Sequence, residues 1–158
     1  MSPEALNIDA KLAALGIVLP EPAAPVAAYV PAVEAGGLLH VSGQLPFIDG
    51  VLVTGRLGED VEIGEGYDAA RACGLMLLAQ AKAALGSLDR ITQVVKLGAF
   101  VNSTPGFFDQ PKVANGASEL MAEVFGDAGK HARAAVGVPA LPLGAAVEVD
   151  AIFAVAAA

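Results

Sequence analysis

The chain has 158 residues, with nine Lys and Arg against 17 Asp and Glu, a formal charge of −8, and 55% hydrophobic residues. So few, scattered cations disfavour nucleic-acid binding, which needs phosphates neutralised; the lone cysteine, Cys73, excludes an intrachain disulfide, and two histidines without a cysteine cluster give no zinc site. No apolar run approaches the roughly 20 residues that span a bilayer, so the excess Ala and Val of this single-domain chain points to surface buried between subunits.

The opening MSPEALNIDAKLAALG lacks a basic segment followed by an apolar one, so no signal peptide is read and a cytoplasmic location is expected. Ser2 and Pro3 read as N-cap and first residue of a helix that Gly16 ends. IVLPEPAAP then runs extended, so residues 1–24 form a helix and linker ahead of a domain at 25–158. Residues 38–46 read as a strand, and residues 51–58, after the turn dipeptide Asp49-Gly50, as its antiparallel hairpin partner. Residues 66–86 form a long helix stopped by Gly86, whose alanines, Cys73 and Gly74 suit close packing on a sheet. A strand at 91–101, a helix at 109–126 and strands at 131–138 and 145–156 complete the order β-β-α-β-α-β-β. That order implies an α+β sandwich with two helices on one face of one sheet.

The last two strands carry charges in small apolar sequence. Alternation places Ala132, Ala134, Val136 and Val138 on one face, and His131, Arg133, Ala135 and Gly137 on the other. Val147, Val149, Ala151, Phe153 and Val155 make an apolar face, with Glu148 and Asp150 opposite. Assigning the apolar faces to the core puts Arg133 and Glu148 together on the second face. A hairpin centred near residues 140 and 141 then sets Arg133 opposite Glu148. A cross-strand ion pair worth about 0.2–1 kcal/mol and a functional site both fit this pattern.

Tyr29, Ser42-Gly43-Gln44, Ala132-Arg133, Leu141-Pro142 and Val147-Glu148-Val149-Asp150-Ala151-Ile152, in that order, resemble the YjgF/Rid family of reactive-intermediate (imine) deaminases. The resemblance covers about residues 25–156. It implies a chorismate-mutase-like fold with a mixed sheet, a homotrimer with a central barrel, and ligand clefts between subunits. It implies hydrolysis of 2-imino acids to 2-keto acids and ammonia without metal or organic cofactor. In that reading Arg133 binds the ligand carboxylate, Glu148 activates water, and Tyr29, Ser42 and Gly43 border the cleft. Asn115 is a further binding candidate, and so is Asn102, in a segment longer than the family's corresponding loop.

An arginine next to Glu148 would lower its pKa and weaken it as a base. The family's cysteine two residues after the arginine is here Ala135, and its acid four residues after is Gly137. The alternative is therefore a non-catalytic trimer of the same fold that binds a small carboxylate. Asp150 reads as a structural or interface acid, His131 as a surface histidine, and Cys73 as a small buried hydrophobe. The ribonuclease activity attached to some relatives is disfavoured by the charge of −8.

Overall fold

The computed structural model describes residues 7–25 and 27–158. Helix α1 (Ile8–Ala14) starts where the Asn7 side chain accepts the Ala10 N–H at 2.9 Å; the start expected at Ser2 and Pro3 lies outside the described residues. It ends as expected at Gly16, where the Ile17 and Gly16 N–H groups reach back to the Leu12 and Ala13 carbonyls. Ile8 and Leu12 are buried in the main core.

The main sheet has five strands in the order β1 (Ala32–Ala35), β2 (Leu38–Gln44), β7 (Val147–Val155), β5 (Ile91–Asn102), β6 (Ala132–Val138). Only β5 and β6 run parallel, so the sheet is mixed. The helices α2 (Ile63–Leu85) and α3 (Gln110–Phe125) cover one face, giving the expected α+β, chorismate-mutase-like fold. They meet closely through glycine. Gly116 lies against the Tyr67 carbonyl, and Gly74 faces Ala117 and Leu120 of α3, not the sheet as expected.

The string β-β-α-β-α-β-β holds for the main sheet, but the hairpin partner of the 38–44 strand is 32–35, ahead of it, and not 51–58. Asp49-Gly50 does form a tight turn, with φ of 51° and 77°. It closes only a two-residue ladder, β3 (Phe47–Ile48) with β4 (Val51–Leu52). Pro46 precedes this ladder, and β2 takes β1 and β7 as its partners instead.

The hairpin expected between β6 and β7 is absent. Strand β5 lies between them, pairing Arg133 with Leu97 and Glu148 with Phe100. The physical reason is the composition of β5. KLGAFVN is nearly continuous apolar sequence and is mostly buried, as suits a strand paired on both edges. The face assignment for β6 is inverted as well. Ala132, Ala134 and Val136 face away from the helices and are exposed, while Arg133 and Ala135 lie beneath α3 and are partly buried. Both faces of β6 are small and apolar, so alternation could not rank them. The β7 faces are as expected, with Val147, Val149, Ala151 and Phe153 fully in the core.

Candidate functional site

Arg133 projects from edge strand β6 onto α3. Its Nη1 donates to Asn115 Oδ1 at 2.9 Å and to Ser118 Oγ at 3.1 Å, and Nη2 approaches the Pro111 carbonyl at 3.5 Å. Asn115 and Ser118 are three residues apart, so one helix face presents both. Ser118 Oγ is also 2.8 Å from His131 Nε2, and His131 Nδ1 is 2.6 Å from the Gly129 carbonyl. A carbonyl only accepts, so Nδ1 carries the proton. With the proton on Nδ1, the Nε2 lone pair is placed to accept the Ser118 O–H. His131 is thus half-buried and bonded, not the free surface histidine expected.

Among the described residues Arg133 has no carboxylate partner. Arg71 and Arg90 differ, being paired with Glu123 and Glu34. A half-buried guanidinium held only by neutral acceptors keeps its full charge for an incoming anion.

Glu148 belongs to a second group on the sheet face away from the helices. Its carboxylate lies over Gly43, where β2 breaks register between Val41 and Gln44. A Cβ at position 43 would stand 2.5 Å from Glu148 Oε2, so that approach requires glycine. Ser42 shapes the strand end, its N–H donating to the Pro31 carbonyl and its hydroxyl to the Val30 carbonyl. Tyr29, half-exposed, lines a cavity of about 90 Å³ with Pro31, Gly43, Gln44 and Leu143. Tyr29, Ser42, Gly43 and Glu148 therefore cluster, while Arg133 and Asn115 form a separate pair.

The two groups do not meet within one chain. They sit on opposite faces, two strands apart and three residues out of step. At strand spacings of about 4.8 Å and 3.3 Å per residue, that is roughly 14 Å between backbones. The expected Arg133–Glu148 neighbourhood is thus corrected, and so is the pKa expectation. Burial, then the nearby Asp150 charge, raises the Glu148 carboxyl above its ordinary value of 4.5. Asp150, packed over Gly98, is also raised by burial, against the opposing pull of the Gly98 backbone and Lys96.

Asn102 stands apart, buried and bridging Arg56 Nε to the Ala145 carbonyl. Gly137 leaves room for Ser103 and Gln110, and Cys73 is sealed in the core. Burial raises the Cys73 thiol far above its ordinary range, which makes it a poor nucleophile. No group of metal-ligating side chains occurs among the described residues, and none of the described helices is long and apolar enough to cross a membrane. Reading the sequence missed Ser118; its three-residue spacing from Asn115 was the available signal.

Residues 9–155 match the model of the family described as "YjgF/chorismate_mutase-like, putative endoribonuclease". Protein TCP17 of Trypanosoma cruzi is 56% identical over 148 residues, covering 92% of both chains. The crystal structure of Atu1372 from Agrobacterium tumefaciens, described as of unknown function, is 47% identical with a TM-score of 0.88 over 97% of this chain and 96% of that one. A Shewanella oneidensis structure, described as a putative endoribonuclease, is 38% identical with a TM-score of 0.90 over 94% and 99%. With that coverage and the mixed sheet under two helices, the chain belongs to the YjgF/chorismate-mutase-like family.

Proposed function

We propose that the protein hydrolyses reactive 2-imino acids to 2-keto acids and ammonia, in clefts between the subunits of a homotrimer. The observation that carries this reading is Arg133, a half-buried guanidinium oriented by Asn115 and Ser118 with no carboxylate partner among the described residues. A guanidinium edge suits the carboxylate of a 2-imino acid. Glu148 supplies the complementary chemistry. A carboxyl raised toward neutrality by burial takes a proton from water as it attacks the C=N carbon, then returns one to the leaving nitrogen. Water adds across C=N, the C–N bond breaks, and the products are the keto acid and ammonia. No cofactor is required for this addition and elimination.

The placement of the two groups on opposite faces supports a cleft shared between copies, with Arg133 and Asn115 from one chain and Glu148, Gly43, Ser42 and Tyr29 from its neighbour. The uncovered sheet face, with Val33, Val136, Ala132 and Ala134 exposed, supports burial against other copies as a central barrel. The net charge of −8 speaks against cleavage of RNA, the activity suggested by the descriptions of some relatives.

The test is loss of 2-iminobutyrate generated in situ, followed with wild type, Arg133→Ala and Glu148→Gln. Wild type should accelerate the loss and both variants should not. Equal rates for wild type and Arg133→Ala would overturn the deaminase reading. One observation favours a non-catalytic carboxylate-binding trimer instead: Ala135 and Gly137, next along the Arg133 face of β6, bring no ionisable group. Binding of 2-oxobutyrate without turnover would select that alternative. Light scattering tests the assembly, and a monomer would overturn the shared cleft.

A further inference from the structure

We infer that Ser118 and His131 are positioning residues for Arg133, fixing which edge of its guanidinium receives a carboxylate; this rests on the reading of Arg133 as the carboxylate anchor. The hydrogen-bond chain has one direction. The Gly129 carbonyl accepts from His131 Nδ1, the Nε2 lone pair accepts the Ser118 O–H in that tautomer, and the Ser118 lone pairs are left facing Arg133. Without His131 the hydroxyl loses the acceptor that fixes its proton, and its oxygen is held less firmly toward Arg133.

The result is selective use of the guanidinium. Both hydrogens of Nη1 are committed, one to Asn115 Oδ1 and one to Ser118 Oγ. Nη2 has only the distant Pro111 carbonyl at 3.5 Å, and among the described residues Nε has no acceptor. The edge left open is therefore the Nε–Nη2 side, which offers two parallel N–H groups to one carboxylate. Ser118 bonds Arg133, and His131 bonds Ser118 in turn. Their effect belongs to binding geometry and should pass to the substrate only through Arg133.

The experiment compares Ser118→Ala, Ser118→Thr, His131→Phe and Arg133→Ala in the full chain. It measures KM and kcat for 2-iminobutyrate and Kd for 2-oxobutyrate. Ser118→Ala should raise KM and Kd by about tenfold or more, the scale of one lost charged hydrogen bond, with kcat within about twofold. Ser118→Thr keeps the hydroxyl and should restore both constants. His131→Phe should shift them in the same direction by less, and add nothing to Ser118→Ala. On an Arg133→Ala background Ser118→Ala should have no further effect. Unchanged KM and Kd in Ser118→Ala, with binding lost in Arg133→Ala, would sink the positioning role and leave the anchor standing. Unchanged binding in Arg133→Ala would sink the anchor itself and the positioning role with it. Should turnover be absent in every protein, the 2-oxobutyrate constants alone decide by the same comparisons.

Discussion

Gly116→Ala places a methyl group into the α2–α3 contact that supports Asn115 and Ser118. The new Cβ would collide with the Tyr67 carbonyl oxygen and stand 2.9 Å from its carbon and 3.0 Å from the Arg71 nitrogen. These are backbone atoms of a 23-residue helix, so no side chain can swing aside. Since Cβ contacts under 3.0 Å are essentially never seen, α3 must retreat by about 1 Å. A retreat of that size forfeits a quarter to a half of each dispersion contact across the interface, where Ala114, Ala117, Leu120 and Met121 are buried. Overpacking typically costs about 1–3 kcal/mol and more where only backbone can yield, offset by about 1 kcal/mol of helix propensity gained when glycine becomes alanine. The net loss is about 2–3 kcal/mol, or roughly 5–10 °C in Tm for a chain of this length. Thermal and urea unfolding followed by circular dichroism measure it. Gly64→Ala is the control, since nothing lies within 4 Å of its Cβ and only the propensity gain should appear. A Gly116→Ala protein as stable as wild type, or more so, would refute the close-contact reasoning.

Three other outcomes are expected. Gly43→Ala forces the Glu148 carboxyl to move by roughly 0.5 Å or more, which a flexible side chain does at little cost in stability; imine hydrolysis should nonetheless fall by about tenfold or more, because catalytic geometry tolerates little displacement. In that variant, unchanged kcat with wild-type stability would argue against Glu148 as the base. Glu148 and Asp150 are both raised, so between their ordinary values of 4.5 and 3.8 and their raised ones the folded chain holds more protons than the unfolded. Stability therefore decreases as pH rises through that window, and Glu148→Gln should gain Tm over wild type as pH increases from 4.5 to 7.5; a shrinking difference would contradict the raised carboxyl. Cys73 should resist a thiol reagent in the folded protein and react fully in denaturant, whereas prompt labelling of the native protein would contradict its burial.

The sequence allowed α2, β5, α3, β6 and β7 to be located within a few residues, because their periodicity and glycine stops are local properties. What it could not carry was pairing. A short link between residues 138 and 147 resembles a hairpin, yet the near-continuous apolar run of β5 claims the space between the strands it joins. The alanines of β6 made its two faces indistinguishable, so Arg133 was assigned to the wrong one. The residues singled out for the site nevertheless fall into two compact groups, Arg133 with Asn115 and Glu148 with Gly43. Ser118 escaped notice because a serine on an amphipathic helix resembles any solvent-facing position. Its significance comes from the strand beneath it.

The separation of those groups across the sheet has a genetic consequence. In a shared cleft, an Arg133→Ala chain still offers an intact Glu148 to its neighbour, and a Glu148→Gln chain still offers Arg133. Co-assembled in equal amounts at random, two inactive proteins should rebuild about one intact cleft in four. Were both residues of a cleft drawn from one chain, no mixture could restore any. In a shared cleft, dead alleles would therefore rescue one another.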